Sequence, residues 1–92
     1  MSGQVVYKKK HFIITSHGKD FIVQNTDHKH EFKHTHINNY HLGILLIDTC
    51  LLGRLPKKAA HLKDNLRFIE SAIRVCRERD KDYFEQLKRD LE

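Results

Sequence analysis

The stretch His11-Phe12-Ile13-Ile14-Thr15-Ser16-His17-Gly18-Lys19-Asp20-Phe21-Ile22-Val23 decides the fold. Two runs rich in β-branched and aromatic residues flank His17-Gly18, and a pleated, half-buried surface selects such runs. Glycine tolerates the positive φ of a tight turn, so the pair reads as a hairpin between two antiparallel strands. Working outward, Val5-Val6-Tyr7 opens the chain ahead of the first run. Asn25-Thr26-Asp27-His28-Lys29 makes a second turn, and Phe32 to Ile37 makes a third strand. Residues 4–37 are therefore expected to form a three-stranded antiparallel meander.

Beyond residue 37 the period changes. Asn38 or Asn39 can cap a helix carrying Leu42, Ile44, Leu45, Leu46, Ile47, Cys50, Leu51 and Leu52, with Gly53 as its C-terminal cap. A helix apolar nearly all round belongs in the centre, so residues 38–53 are expected to pack against both the sheet and the later helices. Pro56 stands where the next helix begins. Ala59, Leu62, Leu66, Ile69, Ile73 and Cys76 follow in a heptad-like seam that Asp80 interrupts. Tyr83, Phe84, Leu87 and Leu91 resume an apolar stripe behind the capping-box pair Asp82 and Glu85. This predicts helices over about 57–79 and 82–91, a helical hairpin. The alternative is one long helix over 57–91 that dimerises to bury its far half. The fold class is α+β, a single domain over 1–92: a three-stranded meander followed by two or three packed helices.

Composition removes several classes. Hydrophobic residues are 39% of the 92, too many for a disordered chain, and there is no repeat. The longest apolar run, Leu42 to Ile47, is far short of the ~20 residues that span a bilayer. Met1-Ser2-Gly3-Gln4 has neither the basic nor the apolar region of a secretory signal. Cys50 and Cys76 fall inside apolar helical patterns, so reduced core thiols in a cytoplasmic protein are expected, with a disulfide between neighbouring helices as the alternative. Seventeen basic residues against twelve acids leave a net charge of +5. Six lysines, three acids and seven of the eight histidines lie before residue 42, which makes the front of the chain electropositive and favours an anionic partner, nucleic acid first.

Lys8-Lys9-Lys10 is the densest basic run; Lys8, Lys10, Lys19, Lys29 and Lys33 are the candidate nucleic-acid contacts. Strand alternation would put Lys8 and Lys10 on one face and Lys9 on the other. A two-stranded ribbon fits a major groove, while the plainer reading is an edge strand kept soluble by lysines.

Five histidines fall between His28 and His41. Two residues apart on a strand, His34 and His36 share a face, which is half of a four-coordinate zinc site; His41, Glu31 or His11 would complete it. The plainer reading is a polar strand edge. If Phe32 marks the buried side of this strand the two histidines point inward, and if Ile37 does they point outward. An imidazole pair could also serve as acid and base in phosphodiester cleavage. It lacks a partner motif, and there is no glycine-rich phosphate loop and no nucleophile beside a base, so a non-enzymatic protein is expected. In the helical half, Leu62, Leu66, Ile69 and Ile73 form either a dimer or partner interface or the packing face against the central helix.

Phe32-Lys33-His34-Thr35-His36 leading into a helix after Asn38 resembles the third strand of the sheet-type DNA-binding domains of tyrosine integrases, a likeness covering residues 5–52. The same stretch, continued through Ile37-Asn38-Asn39, resembles small uncharacterised proteins of Gram-positive bacteria and their phages. These have a β-rich front, an His-Thr-His-Ile stretch and a helical tail. That resemblance implies a mobile-element origin and attaches no activity. Together these readings give a small, basic, cytoplasmic binding module, monomeric or homodimeric, acting on nucleic acid as an accessory or regulatory factor. One alternative is a protein-binding, inhibitory or self-associating module using the helical seam, and a second is a zinc-binding domain around the histidines.

Overall fold

The computed structural model of the chain describes residues 3–26, 33–57, 65–76 and 80–91. Among them are four strands, β1 (Gln4–Lys9), β2 (Phe12–His17), β3 (Asp20–Asn25) and β4 (Lys33–Ile37), and three helices, α1 (Tyr40–Leu52), α2 (Asn65–Val75) and α3 (Lys81–Leu91). The strands form one antiparallel sheet in sequence order, so the α+β class and the meander stand.

The strand count is four rather than three. The opening segment around Val5-Val6-Tyr7 is a strand in its own right, joined to β2 through Lys10-His11. Lys10 takes a left-handed φ of 57°, a conformation usually given to Gly or Asn. Nothing in a Lys-His pair announces a turn, so this hairpin is invisible to turn chemistry. The second turn carries the expected glycine, Gly18, at φ 65°.

Both helix caps predicted for α1 are present. Asn39 is extended and its Oδ1 accepts from the backbone N–H groups of His41 and Leu42, at 2.9 and 3.2 Å. Gly53 ends the helix at φ 79°, its N–H donating to the Thr49 carbonyl. Replacing Asn39 with alanine is expected to cost about 1 kcal/mol by leaving two first-turn donors unsatisfied. Asn39→Asp should keep most of that stability, and urea unfolding of the two variants checks it.

All three helices lie with one face of the sheet. Phe12 and Ile14 of β2 and Val23 of β3 meet Leu46, Ile47 and Cys50 of α1, then Phe68, Ile69, Ala72 and Val75 of α2 and Phe84 of α3, all buried. Gly43 lets α1 approach the strands closely: a Cβ there would stand 3.0 Å from Ile14 Cδ1. Two buried polar groups stitch the layers together. Asn25 Nδ2 donates to the Val75 carbonyl at 3.0 Å, satisfying the end of α2, and Thr35 Oγ1 donates to Ser71 Oγ at 3.2 Å.

The helical tail is two packed helices rather than one long one. Cys76 leaves the helix and α3 starts at Lys81, next to the predicted break at Asp80; α3 folds back on α2, bringing Lys88 Nζ within 3.9 Å of Glu70 Oε2. Lys57 lies in a turn rather than in a first helical turn, and residues 58–64 and 77–79 of the predicted 57–79 helix lie outside the described residues.

The cysteines depart from expectation. Cys50 at the end of α1 and Cys76 just after α2 are paired as a disulfide, with Cα atoms 4.8 Å apart, inside the normal bridging range. Two helix ends that converge on the core bring both thiols to one point, a meeting that neither apolar pattern reveals alone. The pairing removes reduced thiols as an argument for a cytoplasmic location. No described helix is long and apolar enough to cross a membrane.

Candidate nucleic-acid interface

The buried side of β4 is settled by Thr35 and Ile37. Thr35 is buried against Ser71 and Ile37 packs on the core, so alternation sends His34 and His36 to the opposite face of the sheet, where both are exposed.

Register then defines what shares that face. His34 stands opposite Gln24, which stands opposite Ile13, which stands opposite Lys8. A second row runs His36, Ile22, Thr15 and Val5. A bulge between Val5 and Tyr7 inserts Val6 into β1, and this extra residue lets Lys8 and Val5, three positions apart, face the same way. No described helix covers these rows. The imidazoles of His34 and His36 lie 5.5 Å apart at 71°, and His17 Nε2 lies 3.0 Å from Thr15 Oγ1. The two rows hold no carboxylate; Asp20, at the hairpin end opposite His17, is the one acid that alternation adds to the face among the described residues.

Lys8, Lys10 and Lys19, among the described residues, do not assemble into one patch. Lys8 is on the open face. Lys10 does not share that face by alternation, because the chain leaves the strand there and Lys10 occupies the β1–β2 turn. Lys19 lies in the β2–β3 turn, at the other end of β2. Lys33 opens β4 in register with Asn25, and Lys29 lies outside the described residues. Lys9 goes to the helical side, where Nζ reaches Asp48 Oδ1 at 3.0 Å. The hydrogen bond to Asp48, reinforced by its charge, raises the Lys9 pKa above the usual lysine value. Lys9 thus has its own counter-ion, a pair that sequence spacing gave no sign of.

His41 belongs elsewhere. It lies in the first turn of α1 with its ring 5.7 Å from that of Tyr40, which itself packs on the helical side beside Tyr7 and Phe21. Among the described residues no three His, Cys, Asp or Glu side chains are placed to hold one metal ion. His28, His30 and Glu31 lie outside those residues.

The described part of the helical seam turns inward. Ile69 is fully buried in the chain's own core, Ile73 packs against it and Leu66 is half-buried; Leu62 lies outside the described residues. Sequence reasoning missed the middle of the open face, Ile13, Thr15, Ile22 and Gln24. Counting by twos from His36, carried across the sheet register, reaches them.

No family model, curated protein or solved structure matches this chain.

Proposed function

We propose that the chain is a small nucleic-acid-binding module, an accessory or regulatory factor rather than an enzyme, that uses the open face of its sheet. The observation that carries this reading is the make-up of the two cross-strand rows: a lysine at one edge, two imidazoles at the other, and no carboxylate between them. A phosphate backbone is drawn to such a face and repelled from few points on it. Lys10 and Lys19, at the two turns, widen the positive border. The resemblance of His34-Thr35-His36-Ile37 to phage-type proteins fits an accessory role on a mobile element. A nucleic-acid partner implies a cytoplasmic location for the module.

Fluorescence anisotropy with labelled oligonucleotides at about 50 and 200 mM salt tests the reading. Micromolar affinity is expected at the lower salt, falling roughly tenfold or more at the higher, as two or three released counterions require. Lys8→Ala should weaken binding and flatten the salt slope by about one unit. Absence of binding at the lower salt would overturn the reading and turn the search to a protein partner.

A further inference from the structure

We infer that the ligand of this face is a single strand, bound through unpaired bases, rather than a duplex read in its groove; the inference rests on the nucleic-acid reading above. The argument begins with width. Neighbouring strands are ~4.8 Å apart, so the outer two of four strands are separated by about 14 Å before side chains are added. A major groove is about 12 Å wide and admits a helix or a two-stranded ribbon. Lys8 is on one outer strand and His34 and His36 are on the other. A duplex seated against the sheet can bring one border or the other into a groove, never both. The fourth strand therefore changes what the sheet can hold.

A single strand has no such limit. Laid across the face, it passes from Lys8 over Ile13 and Gln24 to His34, or from Val5 over Thr15 and Ile22 to His36. Ile13 and Ile22 offer apolar contact to the flat of a base, and Gln24 offers both a donor and an acceptor to a base edge. The imidazoles of His34 and His36 provide stacking surfaces, and their mutual angle of 71° turns them to different bases. Lys8 meets a phosphate. The stacking and base-flat contacts need the bases unpaired and splayed, which a duplex denies. RNA and DNA share this chemistry, and the comparison of the two reports whether a 2′-hydroxyl is also read.

The test uses a labelled single-stranded DNA of about a dozen nucleotides, the RNA of the same sequence, and the corresponding DNA duplex, each titrated with the full chain at low salt. At least one single strand is expected to bind tenfold or more tightly than the duplex. His36→Ala, at an exposed position, should weaken single-strand binding about fivefold or more, the loss expected for one stacked base, with the melting temperature unchanged. Duplex affinity equal to or above that of both single strands would overturn the inference and leave nucleic-acid binding standing. Unaltered single-strand affinity in His36→Ala would also overturn it, and binding of none of the three probes would remove both.

Discussion

Phe84→Ala is expected to lower the unfolding free energy by about 3–5 kcal/mol, the range for an aromatic deleted from a closed core. Phe84 is the fully buried residue of α3, and it meets the core contributed by α1 and α2. The rest of α3 offers partly buried Leu87 and polar contacts such as half-buried Lys88 with exposed Glu70, a pair 3.9 Å apart that contributes little. Phe84 is thus the main apolar anchor of the last helix, beside Leu87 and the Leu55 N–H that donates to Tyr83 Oη at 3.2 Å. A domain of this size has roughly 5–15 kcal/mol in all, so the variant gives up a large share of its stability and should melt well below the unaltered chain. Urea denaturation followed by circular dichroism measures the loss. Phe84→Leu, which keeps most of the volume, should lose less than about half as much. Equal stability of Phe84→Ala and the unaltered chain would show that α3 does not dock where Phe84 is buried.

The second large effect is expected on reduction. The Cys50–Cys76 bridge closes a loop of 26 residues, and chain-entropy arguments assign such a closure about 3.5 kcal/mol through the unfolded state. A dithiol reductant should therefore lower the melting temperature of the oxidised protein by an amount on the order of 15–25 °C. A double variant, Cys50→Ala with Cys76→Ala, should melt low and respond to reductant not at all. Thiol counting in denaturant closes the test: no free thiols before reduction and two after it. Two thiols before reduction, with a melting temperature that reductant leaves alone, would show that the pair is not bridged.

Much of the fold was legible because local chemistry and global packing agree there. Asn39 and Gly53 bracket α1 with side-chain and backbone properties that only helix ends use. Asp80 breaks the apolar seam beside the point where α3 begins. Gly18 marks its hairpin. Where the reading fell short, the deciding interaction was nonlocal. Lys10 adopts a left-handed turn that its type disfavours, held by the pairing of strands on either side. Phe32 and Ile37 point to opposite burials of β4, and the contact that settles the matter is Thr35 with Ser71, 36 residues away. Cys50 and Cys76 each satisfy an apolar pattern, and a cysteine that packs and a cysteine that bonds fill the same position in it. The candidate site was half legible for a related reason. Spacing by twos found His34 and His36 together, but it failed at the lysines, where the Val6 bulge and the Lys10 turn break the strand's alternation.

The bridge also gives the chain two covalent routes between its sheet-bearing half and its helical tail: the backbone from residue 51 to 75, and the sulfur link between Cys50 and Cys76. Cutting the first route leaves the second. A protease that cleaves once anywhere between the two cysteines would therefore release nothing, and the oxidised product would keep the mass of the whole protein plus one water. On a denaturing gel without reductant it would run as one species, and with reductant as two. In an oxidising setting such a nicked molecule would remain a single covalent unit, with its tail still tethered to α1.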